Sequence, residues 1–529
     1  MGKTKFGRFC TRILCAVVLP LGSGCFSEDF GTPVDDGLAT GTAGQESTAS
    51  AGEMSTTDQS TTDQTSSTSD ASTGTAPTGE LRAVHAAAGL GPVDIYAVGN
   101  PAPLFEAIEY ADATTWVEMP VGSWTFEFRP AGAAADSTPV HTSAPVSVEE
   151  ASRVTAIAAG SIGAQEEASA FRVLAVEEQW GAPLEARARA RWVHAGPDAP
   201  AFGVDGVEVE GTIERFESTE AEGFGLDSVG GQRLALLEDV QGDPATITSF
   251  TMAPVGEGDE VLLIAAGNLN ELAREPGGFT VIAVGRDGAL GFIRQDPQLF
   301  VLHGSRDAAS LEACTGDTEL AANLSYGEIA SARVSPGTYD VSIHSYPSGC
   351  GATVFSTNST GALEAGERYL LLVTGEVSPE DGGEAGIQVT TFDDAYPLDD
   401  DQGARLRFVH GASYSQIYVG AVVDGEISAA NVLTQPIAWS VESGEVAIPA
   451  GSYVVGIADA VGKPSPPYAP IVTVDYEAIG GARQWIIAAG DPSPEETDGG
   501  ALGFLQLIVV DTTTPLWGVA IVDVDLPTL

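Results

Sequence analysis

The stretch Arg191-Trp192-Val193-His194-Ala195-Gly196-Pro197-Asp198-Ala199-Pro200 decides how this chain is read. Its core, an apolar strand ending in His and followed by Ala or Gly, occurs four times, at His85, His194, His303 and His410. These histidines lie 109, 109 and 107 residues apart, and the chain holds only 6 in total. Four of six on one period predict a tandem array of four similar domains of about 107 residues each, a common domain size.

Two further landmarks follow each His strand. One is a Pro/Gly turn entering an alternating strand, clearest in Pro120-Val121-Gly122-Ser123-Trp124-Thr125-Phe126-Glu127-Phe128. Trp124, Phe126 and Phe128 share one face there, the period of a half-buried strand. Pro336-Gly337-Thr338-Tyr339 and Pro449-Ala450-Gly451-Ser452-Tyr453 repeat it, whereas the second repeat has only Gly230-Gly231-Gln232-Arg233. The other landmark is an apolar run ending in Gly: Val154–Gly160, Val261–Gly267, Tyr369–Gly375 and Trp485–Gly490. Such runs suit a fully buried strand. Many short strands, turn-rich connections and almost no helical period predict an all-β chain of four tandem immunoglobulin-like β-sandwich domains. The expected boundaries are 80–185, 186–297, 298–400 and 401–529. In the C-terminal tail, Ala520, Val522 and Val524 would share a face of one added edge strand.

The Val-His-Ala-x-Pro-Asp-Ala-Pro start, the Pro-x-Gly-x-aromatic strand and the apolar run ending in Gly resemble the bacterial domain-of-unknown-function 4397 family (DUF4397), here in four copies over about 80–516. The resemblance implies exported, often tandem, immunoglobulin-like sandwich modules. It implies no activity.

Residues 1–24 read as a secretory lipoprotein signal: Lys3, Lys5, Arg8 and Arg12, then an apolar run Ile13–Leu21, then Gly22-Ser23-Gly24 before Cys25. The run is too short to span a bilayer. Cys25 is the expected lipidation site, although Gly22 stands where a Leu is usual. Residues 25–79, rich in Ser, Thr and Asp, predict a disordered tether that cannot offset the entropy of ordering. Of the 5 cysteines, those left after the leader and Cys25 are Cys314 and Cys350, an expected disulfide in an exported protein. A metal site built on that pair with His344 is the weaker alternative.

With 74 acidic and 23 basic residues the formal charge is −51, which opposes binding to nucleic acid and anionic lipid headgroups. The repeated histidines could bind metal or sense pH, but each has one copy per domain and shares a face with apolar neighbours. The expectation is therefore structural: an imidazole hydrogen-bonded to a turn. The run Asp393-Asp394…Asp399-Asp400-Asp401 could hold Ca²⁺ at a domain joint near Asp399, but it lacks the Gly and terminal Glu of an EF-hand loop, and a solvated charge run is the plainer expectation. Trp116, Trp180 and Trp439 could stack on a carbohydrate or protein partner, or could be joint residues. No Gly-x-Ser-x-Gly, His-Glu-x-x-His or P-loop signature occurs, so no catalytic residue, metal or cofactor is expected. The sequence thus predicts a non-catalytic binding, adhesion or structural module in the envelope of a diderm bacterium. It would sit on the membrane, the outer one being favoured, through Cys25, facing an unknown surface protein or glycan. The alternatives are a purely structural spacer and a hydrolase whose site is assembled at a domain joint.

Overall fold

The computed structural model describes residues 76–351, 354–377, 386–398, 402–412, 416–463, 465–490 and 505–524. The leader, Cys25, the proposed tether up to 75 and Asp399–Asp401 lie outside the described residues. Gly74–Leu529 forms one compact unit by its internal contacts. Among the described residues strands dominate it, with a single turn of 3-10 helix at Glu167–Ser169.

Four two-sheet sandwiches follow one another. In each, the front sheet is organised on the His strand: Thr78–His85, Arg187–His194, Gln298–His303 and Gly403–His410. Beside it runs the apolar strand of the third landmark: Arg153–Ala159, Glu260–Ala266, Arg368–Thr374 and Arg483–Ala489. The two are parallel in all four sandwiches, and the register is the same each time. His85 lies opposite Ala158, His194 opposite Ala265, His303 opposite Val373 and His410 opposite Ala488. All other ladders between the named strands are antiparallel.

The landmark residues explain themselves locally. Gly267, at the end of its apolar run, has φ +83°, and a Cβ there would lie 2.3 Å from the Gly278 carbonyl oxygen. Only glycine admits that backbone conformation together with that close approach. The aromatic of the second landmark closes its own turn. The Trp124 indole N–H donates to the Pro120 carbonyl at 3.0 Å, the Tyr339 hydroxyl to Ser335 at 2.7 Å and the Tyr453 hydroxyl to Pro449 at 2.9 Å. Each bond reaches four residues back, in the manner of a tyrosine corner. In sandwich 2 the Gln232 amide does a different job, donating to Gly206 and accepting from the Asp227 N–H.

The sandwiches are not four equal copies. Sandwiches 1 and 3 have four-stranded front and back sheets, sandwich 1 adding a short two-stranded ribbon. Sandwiches 2 and 4 have five strands in front and three behind. The fifth strand is Gly288–Arg294 in sandwich 2 and Gly518–Asp523 in sandwich 4. The second of these is the edge strand expected from the tail, with Val522 and Val524 packed on the core of sandwich 4. The pattern alternates, so the structural unit is a pair.

Packing shows the same thing. Alternate residues of each His strand and apolar strand fill the sandwich's own core, as Leu81, Ala83, Val154 and Ala156 do in sandwich 1. The residues between them face the neighbouring sandwich. Val84, Ile157 and Ala159 of sandwich 1 form one buried apolar cluster with Val193, Leu262, Ile264 and Ile282 of sandwich 2. Leu302, Leu370 and Leu372 of sandwich 3 do so with Trp485, Ile487 and Ile508 of sandwich 4. Front sheets pack face to face, and this double burial is why the strands read as continuous apolar runs. Phe300 stacks flat on Trp517, centroids 3.9 Å apart, in the second of these joints.

The joint between sandwiches 2 and 3 is of another kind. Its centre is the Asp296 carboxylate, fully buried, which accepts from Arg233 Nε at 3.0 Å, Ser249 Oγ at 2.6 Å and Thr251 Oγ1 at 2.7 Å. Arg333 donates to the Asp296 carbonyl at 2.8 Å, and Arg233 to the Arg333 carbonyl at 3.1 Å. A charge held this way tolerates one geometry, so the two pairs are joined by a directional polar clasp.

Candidate functional site

The repeated histidines stand where the sequence places them, at the exits of four equivalent strands. All are buried, with at most 1% exposure. The Nε2 of His85 lies 3.3 Å from the Gly91 carbonyl oxygen, that of His194 3.0 Å from Pro200, and that of His303 3.1 Å from Ala309. In each case the carbonyl belongs to the residue six positions on, so the imidazole pins the turn that leaves the strand. At His303 the Ser305 N–H donates to Nδ1 at 3.2 Å, which makes Nδ1 the acceptor and assigns the proton to Nε2. Burial lowers the pKa of His85, His194 and His303, that of His194 to about 4. Among the described residues no group of three or more His, Cys, Asp or Glu is arranged to hold a metal ion.

This geometry carries a pH dependence with a definite sign. Each depressed His is neutral in the folded state and titrates normally when unfolded, so its stabilising effect is complete above about pH 6.5. It is lost as pH falls toward the folded-state value, because the unfolded chain then binds the extra proton. For His194 the loss by pH 4 is on the order of 3 kcal/mol. Urea unfolding between pH 7 and pH 4 measures it, and His194→Gln is expected to flatten that part of the profile.

The other sequence candidates resolve into structural roles. The sulfurs of Cys314 and Cys350 are bonded to each other, with the Cα atoms 5.6 Å apart. His344 Nε2 instead meets Ser342 Oγ at 2.8 Å. The expectation that Asp393-Asp394 are solvated needs correction at Asp394. Its carboxylate is fully buried, with Arg368 Nε at 2.8 Å and Thr512 Oγ1 at 3.2 Å. Arg368 in turn donates to the Thr512 and Thr514 carbonyls, so this ion pair ties sandwich 3 to sandwich 4. Burial raises the Asp394 pKa even against the pull of Arg368. Trp116 is a joint residue, lying 4.5 Å from the Arg82 guanidinium while its N–H donates to the Arg286 carbonyl of sandwich 2 at 2.9 Å. Trp180 packs at the edge of the same joint, and Trp439 is half-buried.

Sequence reasoning missed the joint arginines, although a signal was present. Three residues before each repeated His stand Arg82, Arg191, Phe300 and Arg407. An odd offset puts them on the face opposite the His, which is the joint face. Arg82 pairs with Glu178 and donates to Gly285 of sandwich 2, Arg191 donates back to Glu177 of sandwich 1, and Arg407 to Asp393.

Among the described residues, cavities open at two joints. One, of about 520 Å³, lies between sandwiches 1 and 2, lined by Tyr110, Phe292, Glu109, Arg274, Glu275 and Arg294 among others. The second, of about 480 Å³, lies where sandwiches 2, 3 and 4 meet and is lined by Gln295, Gln298, Arg333, Glu367, Arg368 and Leu516, with neighbours from the same three sandwiches.

Comparison with known families bears on the pairing. Residues 79–205 and 297–419 match the family model described as "Domain of unknown function (DUF4397)". The chain carries two DUF4397 matches. Four copies were expected, and that number is corrected to two. Each match begins at the His strand of sandwich 1 or 3 and ends within the opening strands of sandwich 2 or 4, so each crosses a joint within a pair. The starts of the two DUF4397 regions lie 218 residues apart, two His periods, as the alternating sheet pattern requires. No curated protein matches the chain. Among solved structures it is similar to "The Bacillus anthracis TIE protein", at 9% identity over 76% of this chain and 68% of that one, with a TM-score of 0.13. A likeness that slight carries no argument about fold or function.

Proposed function

We propose that this chain is an exported, lipid-anchored protein of a diderm bacterial envelope, acting as a non-catalytic binding or adhesion module. The single observation that carries the location is the Cys314–Cys350 bond in a folded domain, since such bonds persist in oxidising compartments. The basic, apolar and small-residue sequence before Cys25 supports the same reading. The lipid on Cys25 would hold the chain at the membrane, and the tether, expected to reach 79 but ending before the strand Thr78–His85, would hold the sandwiches clear of it, with an r.m.s. reach on the order of 40 Å for a flexible chain.

The non-catalytic part rests on what the joint carboxylates do. Glu275 accepts the Leu272 N–H, Glu271 accepts the Asn268 amide, and Glu367 faces Arg274. They organise loops. Sandwiches 2 and 4, matched only in their opening strands, are in this proposal divergent partners of sandwiches 1 and 3. A structural spacer is the second reading, favoured by the Asp296 clasp, which fixes one pair against the next.

Mass spectrometry of protein extracted from membranes with detergent tests the location. The expected result is a diacyl or triacyl mass on a peptide beginning at Cys25, together with a linked Cys314–Cys350 peptide. An unlipidated chain with free thiols would overturn it.

A further inference from the structure

The two joint cavities are similar in size, within the roughly 300–1,000 Å³ typical of small-molecule sites. They differ in their walls, since only the cavity between sandwiches 1 and 2 has aromatic residues in its lining. In the cavity among sandwiches 2, 3 and 4, Arg368 is held by Asp394, Gln298 accepts from Arg333, and Gln295 both donates to Phe279 and accepts from Thr248. That lining is committed to holding the two pairs together.

The cavity between sandwiches 1 and 2 is differently furnished. Phe292 is 50% exposed and lies 5.9 Å from the Tyr110 ring, so two aromatic rings share one wall. The Tyr110 hydroxyl is shut off from solvent and has no hydrogen-bond partner among the described residues. Glu109 and Arg294 are exposed, which sets a planar acceptor and a planar donor at the margin. Behind them Arg274 is held by the Asp394 and Tyr396 carbonyls and Glu275 by the Leu272 N–H, while Arg294 also donates to the Ala273 carbonyl at 3.2 Å; the formal charge of the lining balances. An aromatic wall offers the CH faces of a sugar ring a flat apolar surface. Carboxylate and guanidinium planes offer vicinal hydroxyls paired acceptors and donors. A balanced lining on a chain of net charge −51 disfavours polyanions.

From these features we infer that the cavity between sandwiches 1 and 2 is a binding site for a neutral glycan, with Phe292 and Tyr110 as the stacking wall and Glu109 and Arg294 as the hydroxyl-binding pair. The inference deepens the binding part of the proposed function and rests on it.

The test is binding of the purified full chain to immobilised neutral oligosaccharides of glucose, galactose, mannose and N-acetylglucosamine, with heparin as the anionic arm. Binding to at least one neutral glycan is expected, weakened tenfold or more by Phe292→Ala and by Glu109→Ala. Both residues are exposed, so an unchanged unfolding midpoint is expected for each variant, and Glu109→Ala stands as the readout should Phe292→Ala unfold. No neutral-glycan binding at millimolar concentration, a preference for heparin, or binding that both substitutions leave intact would overturn the site. A chain that binds no glycan and is still recovered with a lipid on Cys25 would sink this inference alone.

Discussion

Arg368→Ala is expected to destabilise the pair formed by sandwiches 3 and 4 by about 3–5 kcal/mol, the usual consequence of removing one partner of a buried ion pair. The substitution strands the fully buried Asp394 carboxylate, which keeps the Thr512 hydroxyl and the more distant charge of Arg274. It also frees the Thr512 and Thr514 carbonyls that Arg368 holds. The loss comes from the orphaned charge more than from the missing attraction, and a second variant separates the two. Arg368→Met combined with Asp394→Leu removes both charges and is expected to recover most of the stability, since apolar replacement of a whole buried pair is often neutral or better. Urea unfolding of the three proteins decides it. An Arg368→Ala cost below about 1 kcal/mol, the range of exposed pairs, would mean that this joint is open to water.

Ile264→Asp is expected to cost about 4 kcal/mol or more, and to unfold sandwiches 1 and 2 together. Ile264 points away from the core of its own sandwich and into the cluster shared with Val84, Ile157 and Val193. In a string of independent domains it would be a surface residue, and Asp there would change stability by less than about 0.5 kcal/mol. In a paired architecture it places an unpartnered charge in a dry sheet-to-sheet joint. Ile487→Asp makes the same test in the second pair, where Ile487 sits between Leu370, Leu372 and Trp485. Hydrogen exchange resolved by peptide would show which sandwiches lose protection. Loss confined to sandwich 2 would contradict the pairing.

Much of the fold is legible in the sequence, and the rest is hidden for identifiable reasons. The His period marks four strands because a His pinning a turn carbonyl is a local device, repeated wherever the strand exit is repeated. The aromatic corner and the closing glycine are legible for the same reason. The pairing is not. An apolar run such as Val261-Leu262-Leu263-Ile264-Ala265-Ala266 reads identically whether its second face meets its own domain or a neighbour. The strand Gly288–Arg294, which distinguishes sandwich 2 from sandwich 1, has two glycines and exposed side chains, so nothing in its pattern announces a fifth strand. The homologous edge in sandwich 4 was legible only because Ala520, Val522 and Val524 alternate cleanly.

At the candidate sites, the histidines and the disulfide could be read directly, whereas Asp394 looked like one more carboxylate in an acidic run. Its partner lies 26 positions away, and a single carboxylate's burial leaves no trace in composition. The joint arginines are an intermediate case. Their place three residues before the His is visible once the repeats are aligned, but their purpose appears only when the opposite face is known to be covered.

The pairing is tested most directly by the unfolding of two fragments, residues 76–185 and residues 76–294, followed by circular dichroism and tyrosine and tryptophan fluorescence against urea. A single cooperative transition is expected for the longer fragment. For the shorter one no folded baseline is expected, because the apolar outer face of its front sheet (Val84, Ile157 and Ala159) would be left in water. A shorter fragment that folds by itself, with the midpoint it shows inside the longer one, would contradict the pair as the unit of this structure.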